Sequence, residues 1–538
     1  MSANLIEELI LLVSKQQKEL ASLNSKVETL EHQLFLFRNA RFGRKSEKDA
    51  ESGQLSLQFD EADDTQVEPE VIETPESETI TYTRPKKAKG RQKLPASLPY
   101  VEKVYDIPES LKSCACGCSM TEIGEERSEQ IDIVPQMAFR VVHVRKKYAC
   151  KKCEENIQVA KAPIQPIPQS VASAGMLAHV IDGKFNRHMP LYRQEDIFNR
   201  AGLSVTRATL GHWVIKSAAL LNPLVKLMTD IIHNYDIAWA DETPLQVLKD
   251  KDKKSPSKSY MWLFIGGPPE QRSFIYHYHA TRATQVAMDF FEDFKGYLHA
   301  DCYNAYTTLG KQDGIYHVAC MAHARRYFMD IVRQTKKQKG LAYQVVELIG
   351  KLYHLEKLLK EANANPDEIK LKREDKARPM LLQIKKLLDD NLTKVPPQSP
   401  LGKAVAYMLS HWQALNHYLL DGRLEIDNNR SERSIKPFVI GRKNWLFHGN
   451  DKGARAGATL YSLIETCKAH QVDVFAWLKH ALTYMHQADT LEKMEALLPF
   501  NVKPEDLEAA RAIPELIYPE KMKWTRPIYQ TASIMRHN

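Results

Sequence analysis

The sequence predicts a multidomain α+β protein. Three observations carry that prediction: an uninterrupted heptad repeat opens the chain, two groups of closely spaced cysteines follow, and strand and helix signals then alternate before long helices take over. At 538 residues the chain exceeds what one compact core accommodates, so three or four units are expected. Its formal net charge of +8, from 75 Lys and Arg against 67 Asp and Glu, suits a polyanionic partner. No run of about 18 apolar residues occurs, which argues against a membrane-spanning helix. Residues 1–8 are acidic where a secretory leader is basic. We therefore expect a cytoplasmic protein with no membrane partner. Eight cysteines in a reducing compartment point to metal rather than to a disulfide framework.

Taken in order, Ile6, Leu9, Val13, Gln16, Leu20, Leu23, Val27, Leu30, Leu34 and Phe37 keep a 3-4 spacing over four heptads. Residues 1–46 are expected to form a coiled-coil dimerisation helix, making the protein a homodimer or higher oligomer, with Gln16 as a register-setting polar residue. Arg38, Arg41, Arg44 and Lys45 close this helix, either as a solvated end or as a contact to DNA phosphates. Residues 47–99 read as a linker, acidic around Pro69 and Pro75 and basic from Arg84 to Lys93.

Residues 100–162 hold Cys114, Cys116 and Cys118, then Cys150 and Cys153. The two-residue gap of the second pair lets both thiolates of one turn reach a structural Zn²⁺. The first group offers three sulfurs for two positions, so Cys114 pairs with either Cys116 or Cys118. Alternating residues over Glu129–Gln136 and Ala138–Tyr148 predict a hairpin between the two knuckles, and hence a zinc ribbon. Pro163, Pro166 and Pro168 mark a linker beyond it.

Residues 171–220 look helical. A helix over Leu191–Arg200 closed by Gly202, followed by one over Thr206–Val214 carrying Arg207, has helix-turn-helix order. Residues 235–460 show strands over Asp236–Leu248, Tyr260–Ile265, Ser273–Tyr278, Gly296–Asp301 and Gly314–Cys320, with helices over Thr284–Phe294 and Met321–Val332. Three antiparallel strands, a helix, then a strand and its crossover match the order of an RNase H-like mixed α/β sheet. Polar-faced helices over about 333–420, broken at Pro366 and Pro396-Pro397, form an insertion. Residues 461–538 are expected to be a helical region and an irregular tail.

Two acids stand at strand ends, Asp241 on the first and Asp301 on the fourth, and in such a sheet these strands are neighbours. A third, Glu432, lies among Arg430, Arg433, Lys436, Arg442 and Lys443 in a helix start, with Asp427 as its cap and Pro437 stopping or kinking it. By itself that helix also reads as a solvated, salt-bridged face. Three converging carboxylates repel one another unless cations are present. Oxygen ligands beside a phosphate favour Mg²⁺ or Mn²⁺, and two ions about 4 Å apart serve the attacking and leaving oxygens of an in-line displacement. Asp236, Glu242, Glu425 and Asp427 are competing acids; Glu242 points to the opposite strand face, and Glu425 is the principal rival to Glu432. His323, after the fifth strand, either faces the core or touches the reacting region.

Five segments taken together carry a resemblance: Trp239 to Thr243, His299 to Tyr303, Cys320 to Arg326, Asp427 to Arg433 and Gly441 to Phe447. They resemble the IS66-family insertion-sequence transposases of bacteria, and the similarity spans nearly the whole chain. The resemblance implies an Asp-Asp-Glu triad at Asp241, Asp301 and Glu432, cutting of the 3′ strand at element ends, and attack of the freed 3′-OH on target DNA. It places Arg433, Arg442, Lys443, Arg326 and Arg207 on DNA, puts the protein on the nucleoid, and implies accessory proteins from the same element. The segment Cys114-Ala115-Cys116-Gly117-Cys118 departs from the family's Cys-x-Cys-Cys-Gly pattern, which bears on the zinc geometry. Two other readings compete: a transposase-derived DNA-binding protein that does not cut, and a structure-selective nuclease on the same fold.

Overall fold

The computed structural model describes residues 16, 138, 139, 141–149, 157–159, 162–249, 258–335 and 339–512. The heptad repeat apart from the helical, exposed Gln16, the linker, all five ribbon cysteines and the segment from residue 513 onward lie outside the described residues. Described residues from 145 to 511 belong to one unit; residues 138, 139 and 141–144 belong to another and carry no regular secondary structure. Strands β1 (Lys147–Ala149) and β2 (Ile157–Val159) pair antiparallel, with Lys147 opposite Val159. Of the hairpin expected over Glu129–Gln136 and Ala138–Tyr148, the first half lies outside the described residues; within the second, residues 141–146 carry no regular secondary structure and Lys147–Ala149 pairs with Ile157–Val159.

Helix α1 (Ala174–Ile181) runs into a π turn over Asp182–Asn186 and is followed by α2 (Leu191–Arg200) and α3 (Arg207–His233). Gly202, with φ of +78°, supplies the left-handed turn after α2, and the Thr206 hydroxyl caps α3 by accepting the Thr209 amide. The second helix does not end near Val214, as its sequence pattern suggested. Its apolar stripe continues through Leu221, Leu224, Met228 and Ile232, all buried, so it persists as a core helix. Its first turn, Arg207 to Thr209, is exposed.

The central sheet is built from β3 (Ile237–Leu245), β5 (Ser259–Gly266), β6 (Ser273–His279), β7 (Gly296–Ala300) and β8 (Ile315–Ala319). The short β4 (Val247–Lys249), α4 (Thr284–Phe290), α5 (Asn304–Leu309) and α6 (Met321–Thr335) stand between or after them. The strand order is β6-β5-β3-β7-β8. β6, β5 and β3 are antiparallel, while β7 and β8 run parallel to β3 and to each other. Trp262 and Phe264 on β5 are fully buried, as expected of a strand covered on both faces.

Helices α7 (Leu341–Glu361), α8 (Pro366–Lys372), α9 (Arg378–Asn391), α10 (Pro400–Ser410) and α11 (Trp412–Asn416) follow. The break expected at Pro366 falls between α7 and α8: Pro366 takes the first position of α8, where no amide is needed, behind an Asn365–Glu368 capping box. The chain closes with α12 (Asn429–Trp445), β9 (His448–Asn450), α13 (Asp451–Ala469), α14 (Val474–Tyr484), α15 (Leu491–Ala496) and α16 (Pro504–Arg511). β9 pairs with β4 in parallel. α13 covers the open edge of β6, where the Tyr276 and Phe274 amides donate to Ser462 Oγ (2.8 Å) and Thr466 Oγ1 (3.2 Å). Side-chain hydroxyls thus replace the missing neighbouring strand. Among the described residues the fold is mixed α+β and mostly helical around this sheet, and no helix is long and apolar enough to cross a membrane.

The buried Arg373, in the π turn between α8 and α9, ties these helices to the segment entering α12. Its guanidinium grips Glu356 through two bonds (2.9 and 2.6 Å) and donates to the carbonyls of Tyr418 (2.8 Å), Asp421 (3.0 Å) and Leu424 (2.8 Å). Removing one partner of such a pair leaves a buried charge and several carbonyls without donors, at a cost of about 3–5 kcal/mol. Arg373→Ala is therefore expected to lower the urea midpoint of unfolding by that equivalent. A midpoint within experimental error of the wild type would contradict this role.

Candidate active site

The parallel register of β3 and β7 sets Trp239 opposite His299, so Asp241, two residues on, stands across from Asp301 just past the end of β7. Each aspartate is oriented by a local amide: Asp241 Oδ1 accepts from the Glu242 N–H (2.8 Å) and Asp301 Oδ1 from the Tyr303 N–H (2.9 Å). Glu432 sits in the first turn of α12. What brings that turn to the sheet is Asn428. Its side-chain amide donates to the carbonyl of Ala240 (3.1 Å), the residue before Asp241, and its backbone N–H donates to Cys320 Sγ (3.3 Å). Its own carbonyl receives the Ser431 hydroxyl (3.0 Å) and the Glu432 amide (3.3 Å). The Met321 amide also donates to Ile426 (3.2 Å), so the start of α6 holds the same segment.

Burial pushes the Asp241 carboxyl well above the usual carboxylate range. The charge of Glu242 adds to the rise, the Glu242 amide opposes it, and the charges of Asp301 and Glu432 raise it further. Asp301 and Glu432 are thus both close enough to repel the Asp241 carboxylate.

The competing acids are occupied. Glu242 points away from Asp241, is buried, and is held by Arg282 (Nε to Oε1, 2.6 Å; a second contact through Nη2) and by the Tyr306 hydroxyl. The Arg282 guanidinium lies 3.7 Å above the Tyr303 ring, whose hydroxyl donates to the Arg282 carbonyl (2.5 Å). Burial raises the Glu242 carboxyl, while Tyr306 and Arg282 counter part of that rise. Asp236 is paired with Arg423 (2.5 Å) and Glu425 with Arg430 (2.5 Å). Burial works to raise Glu425, but Arg430 outweighs it and holds the carboxyl below its usual range.

Asp427 accepts the Asn429 amide (3.1 Å) and side chain (2.7 Å) and the Tyr353 hydroxyl (3.0 Å), and burial pushes it up to about 6. It satisfies the first amide of α12, although the residue flanking the helix is Asn428. Pro437 does not stop this helix, which runs on to Trp445. The buried face of Ile435, Phe438, Gly441 and Trp445 offsets the roughly 3 kcal/mol that an interior proline costs.

Of the basic residues, Arg433, Lys443, Arg326 and Arg207 are exposed, while Arg442 reaches back to β3, donating to Thr243 Oγ1 (3.0 Å) and to the Pro244 carbonyl. His323 lies against Glu432: its Nδ1 is 3.7 Å from Oε1. Sequence reasoning passed over Asn428, Arg282, Tyr306 and Cys320 as parts of the site. Only Asn428 and Cys320 had a signal, each lying within a segment already singled out.

The chain was compared with known proteins. A family model described as the transposase IS66 family matches residues 169–456. The zinc-finger binding domain of transposase IS66 matches residues 112–154, the transposase C of IS166 homeodomain residues 29–102, and the IS66 C-terminal element residues 462–500. Two uncharacterized proteins of Sinorhizobium fredii are similar over most of their length. One, y4jD, is 33% identical over 431 residues, 78% of this chain and 83% of its own; the other, y4qI, is 31% identical over 505 residues, 90% of each. The zinc-finger match spans all five cysteines singled out above and supports a structural Zn²⁺ there.

Two stability measurements follow from the site. A buried carbonyl left without its donor costs about 1–3 kcal/mol, so Asn428→Ala is expected to destabilise the protein by that amount at every pH; no change in the unfolding free energy would remove Asn428 from its bridging role. Asp241 has a folded-state value above its ordinary 3.8. The stability its protonated form contributes is therefore complete below pH 3.8 and lost as pH rises through the folded value. Without divalent cations, Asp241→Asn should be more stable than wild type, with a gap that widens from about pH 4 upward. A gap that is constant or of opposite sign would show that the carboxylate is not penalised.

Proposed function

The chain belongs to the transposase IS66 family, and on that premise we propose that it is a DNA transposase of the Asp-Asp-Glu type, using Asp241, Asp301 and Glu432. The observation that carries the reading is the Asp241 carboxyl: half-buried, raised, and within the electrostatic reach of both other acids. The strand order β6-β5-β3-β7-β8, with three antiparallel and two parallel strands, supports an RNase H-like catalytic domain interrupted by helices α7–α11 before its last acid. We place this domain at 235–460, with a helix-turn-helix-like region at 171–220, the zinc ribbon at 100–162 and the coiled coil at 1–46.

Three carboxylates with unbalanced charge, and no soft donor among the three, fit hard divalent cations. Asp241, Asp301 and Glu432 would hold Mg²⁺ or Mn²⁺, which when bound supplies Lewis acidity to the attacking and leaving oxygens. In the first step water attacks the phosphodiester at each element end and the 3′-OH leaves. In the second, that 3′-OH attacks a target phosphodiester, and one ester bond forms as another breaks. No bond to the protein is made. Asn428 keeps Glu432 against the end of β3, and Arg282 and Tyr306 hold Glu242 away from the site. Arg433, Lys443 and Arg326, exposed around the acids, together with Arg442 and Arg207, engage phosphates. Self-association through the heptad repeat, accessory proteins of the same element, and a cytoplasmic location on nucleoid DNA belong to the same reading.

The test is a cleavage and joining assay on labelled element-end DNA with Mg²⁺ or Mn²⁺. Loss of a neighbouring hydrogen-bond partner alone costs a metal site about 10–100-fold. Asp241→Asn, Asp301→Asn and Glu432→Gln are therefore each expected to reduce both products by more than about a hundredfold while DNA binding persists. Glu425→Gln should remain active, because its carboxylate is committed to Arg430. A dead Glu425→Gln beside an active Glu432→Gln would move the third acid. Binding with no cleavage, even with the element's other proteins added, would favour a non-cutting DNA-binding protein; cleavage with no joining would favour a structure-selective nuclease.

A further inference from the structure

Overlapping the three acids at Glu432 lies a second donor set, whose other two members the cleavage reading does not use. Cys320 stands between β8 and α6, His323 in the first turn of α6, and Glu432 in the first turn of α12. One ligand atom from each lies within 4.8 Å of the other two, and among the described residues no other group of His, Cys, Asp and Glu shows this geometry. The 3.7 Å between His323 Nδ1 and Glu432 Oε1 is too long for a hydrogen bond. Both atoms are nevertheless shielded from solvent, and neither has a hydrogen-bond partner. Two buried polar atoms facing each other across a gap cost free energy unless something fills it.

We propose that Cys320, His323 and Glu432 form a binding site for a borderline-soft divalent cation of the Zn²⁺ class. Sulfur, imidazole nitrogen and one carboxylate oxygen are the donors such an ion prefers, whereas Mg²⁺ selects oxygen alone. Tetrahedral coordination with bonds of about 2.0–2.3 Å puts ligand atoms roughly 3.3–3.6 Å apart, close to the His323–Glu432 separation. Binding converts the Cys320 thiol to thiolate and releases one proton. The Asn428 amide already points at the sulfur, 3.3 Å away, and stabilises the charge that forms. Three protein ligands leave a fourth position for water or a phosphate oxygen. Because Glu432 is common to both donor sets, an ion here fixes one of its oxygens beside the cleavage site. That functional meaning rests on the proposed triad; the binding itself does not.

The test uses full-length protein with its ribbon loaded with Zn²⁺, titrated with Co²⁺ in the absence of DNA. The wild type should develop a thiolate-to-Co²⁺ charge-transfer band in the near ultraviolet. Cys320→Ser should lack that component, with an unchanged melting curve before cobalt is added. Asp241→Asn and Asp301→Asn should keep it, which separates this site from the cleavage metals. If Cys320→Ser does not fold, His323→Ala reads the same site, with Co²⁺ affinity expected to fall by at least about tenfold. The inference is overturned if wild type and Cys320→Ser give identical spectra, if His323→Ala binds Co²⁺ as tightly as wild type, or if the band disappears in the aspartate variants. No DNA is cut in this experiment, so its outcome is independent of whether the cleavage reading holds.

Discussion

The site depends on Asn428. A single buried side chain links the carbonyl before Asp241 to a residue 188 positions later, and its backbone amide reaches the sulfur at the start of α6. Each such bond contributes only about 1 kcal/mol net, yet the groups it satisfies are buried, and leaving them unpaired costs more than the bond yields. The consequence is geometric. With Ile426 bonded to Met321, Asp427 to Tyr353 and Asn428 to Ala240, the segment entering α12 is attached to α6, α7 and β3. Glu432, one turn later, has little freedom in where it stands.

The helices between β8 and α12 are part of that support. Arg373 joins α7, through Glu356, to the carbonyls of Tyr418, Asp421 and Leu424, directly ahead of Asn428. A guanidinium is suited to this because its five donors lie in one rigid plane and its charge persists at any working pH. On the far edge of the sheet, Ser462 and Thr466 of α13 take the amides that a further strand would have used. The sheet is therefore constrained at its open edge and at the strand ends where the acids lie.

Charge opposes this arrangement. Burial and the neighbouring charges of Glu242, Asp301 and Glu432 disfavour the ionised form of Asp241, and the surrounding ion pairs do not help, since Arg282, Arg423 and Arg430 are each engaged by another acid. Glu242 shows the contrast: one residue away and equally buried, it is matched by an arginine and a tyrosine and has no charge left to offer.

Local signals in the sequence reached as far as local physics does. The five sheet strands were readable because apolar and aromatic runs end at Gly or at charged residues, and the α2–α3 junction because Gly202 and Thr206 do the same work in any context. Asp241 and Asp301 as neighbours followed from strand order. Pro366 marked the break between α7 and α8, whereas Pro437 is carried inside a helix because tertiary packing overrides propensity. The pairing of Lys147–Ala149 with Ile157–Val159 was not foreseen, since alternation alone cannot say which strand will be the partner. Asn428 bridging to Ala240, and His323 facing Glu432, are long-range contacts with no periodic trace in the chain. The central claim is that the three acids form one cation site, and Mn²⁺ binding to the full-length protein, read by electron paramagnetic resonance of the free ion, tests it most directly. The account predicts that Asp241→Asn, Asp301→Asn and Glu432→Gln each release Mn²⁺ that the wild type holds while Glu425→Gln does not; Mn²⁺ binding unchanged in the three folded variants would contradict it.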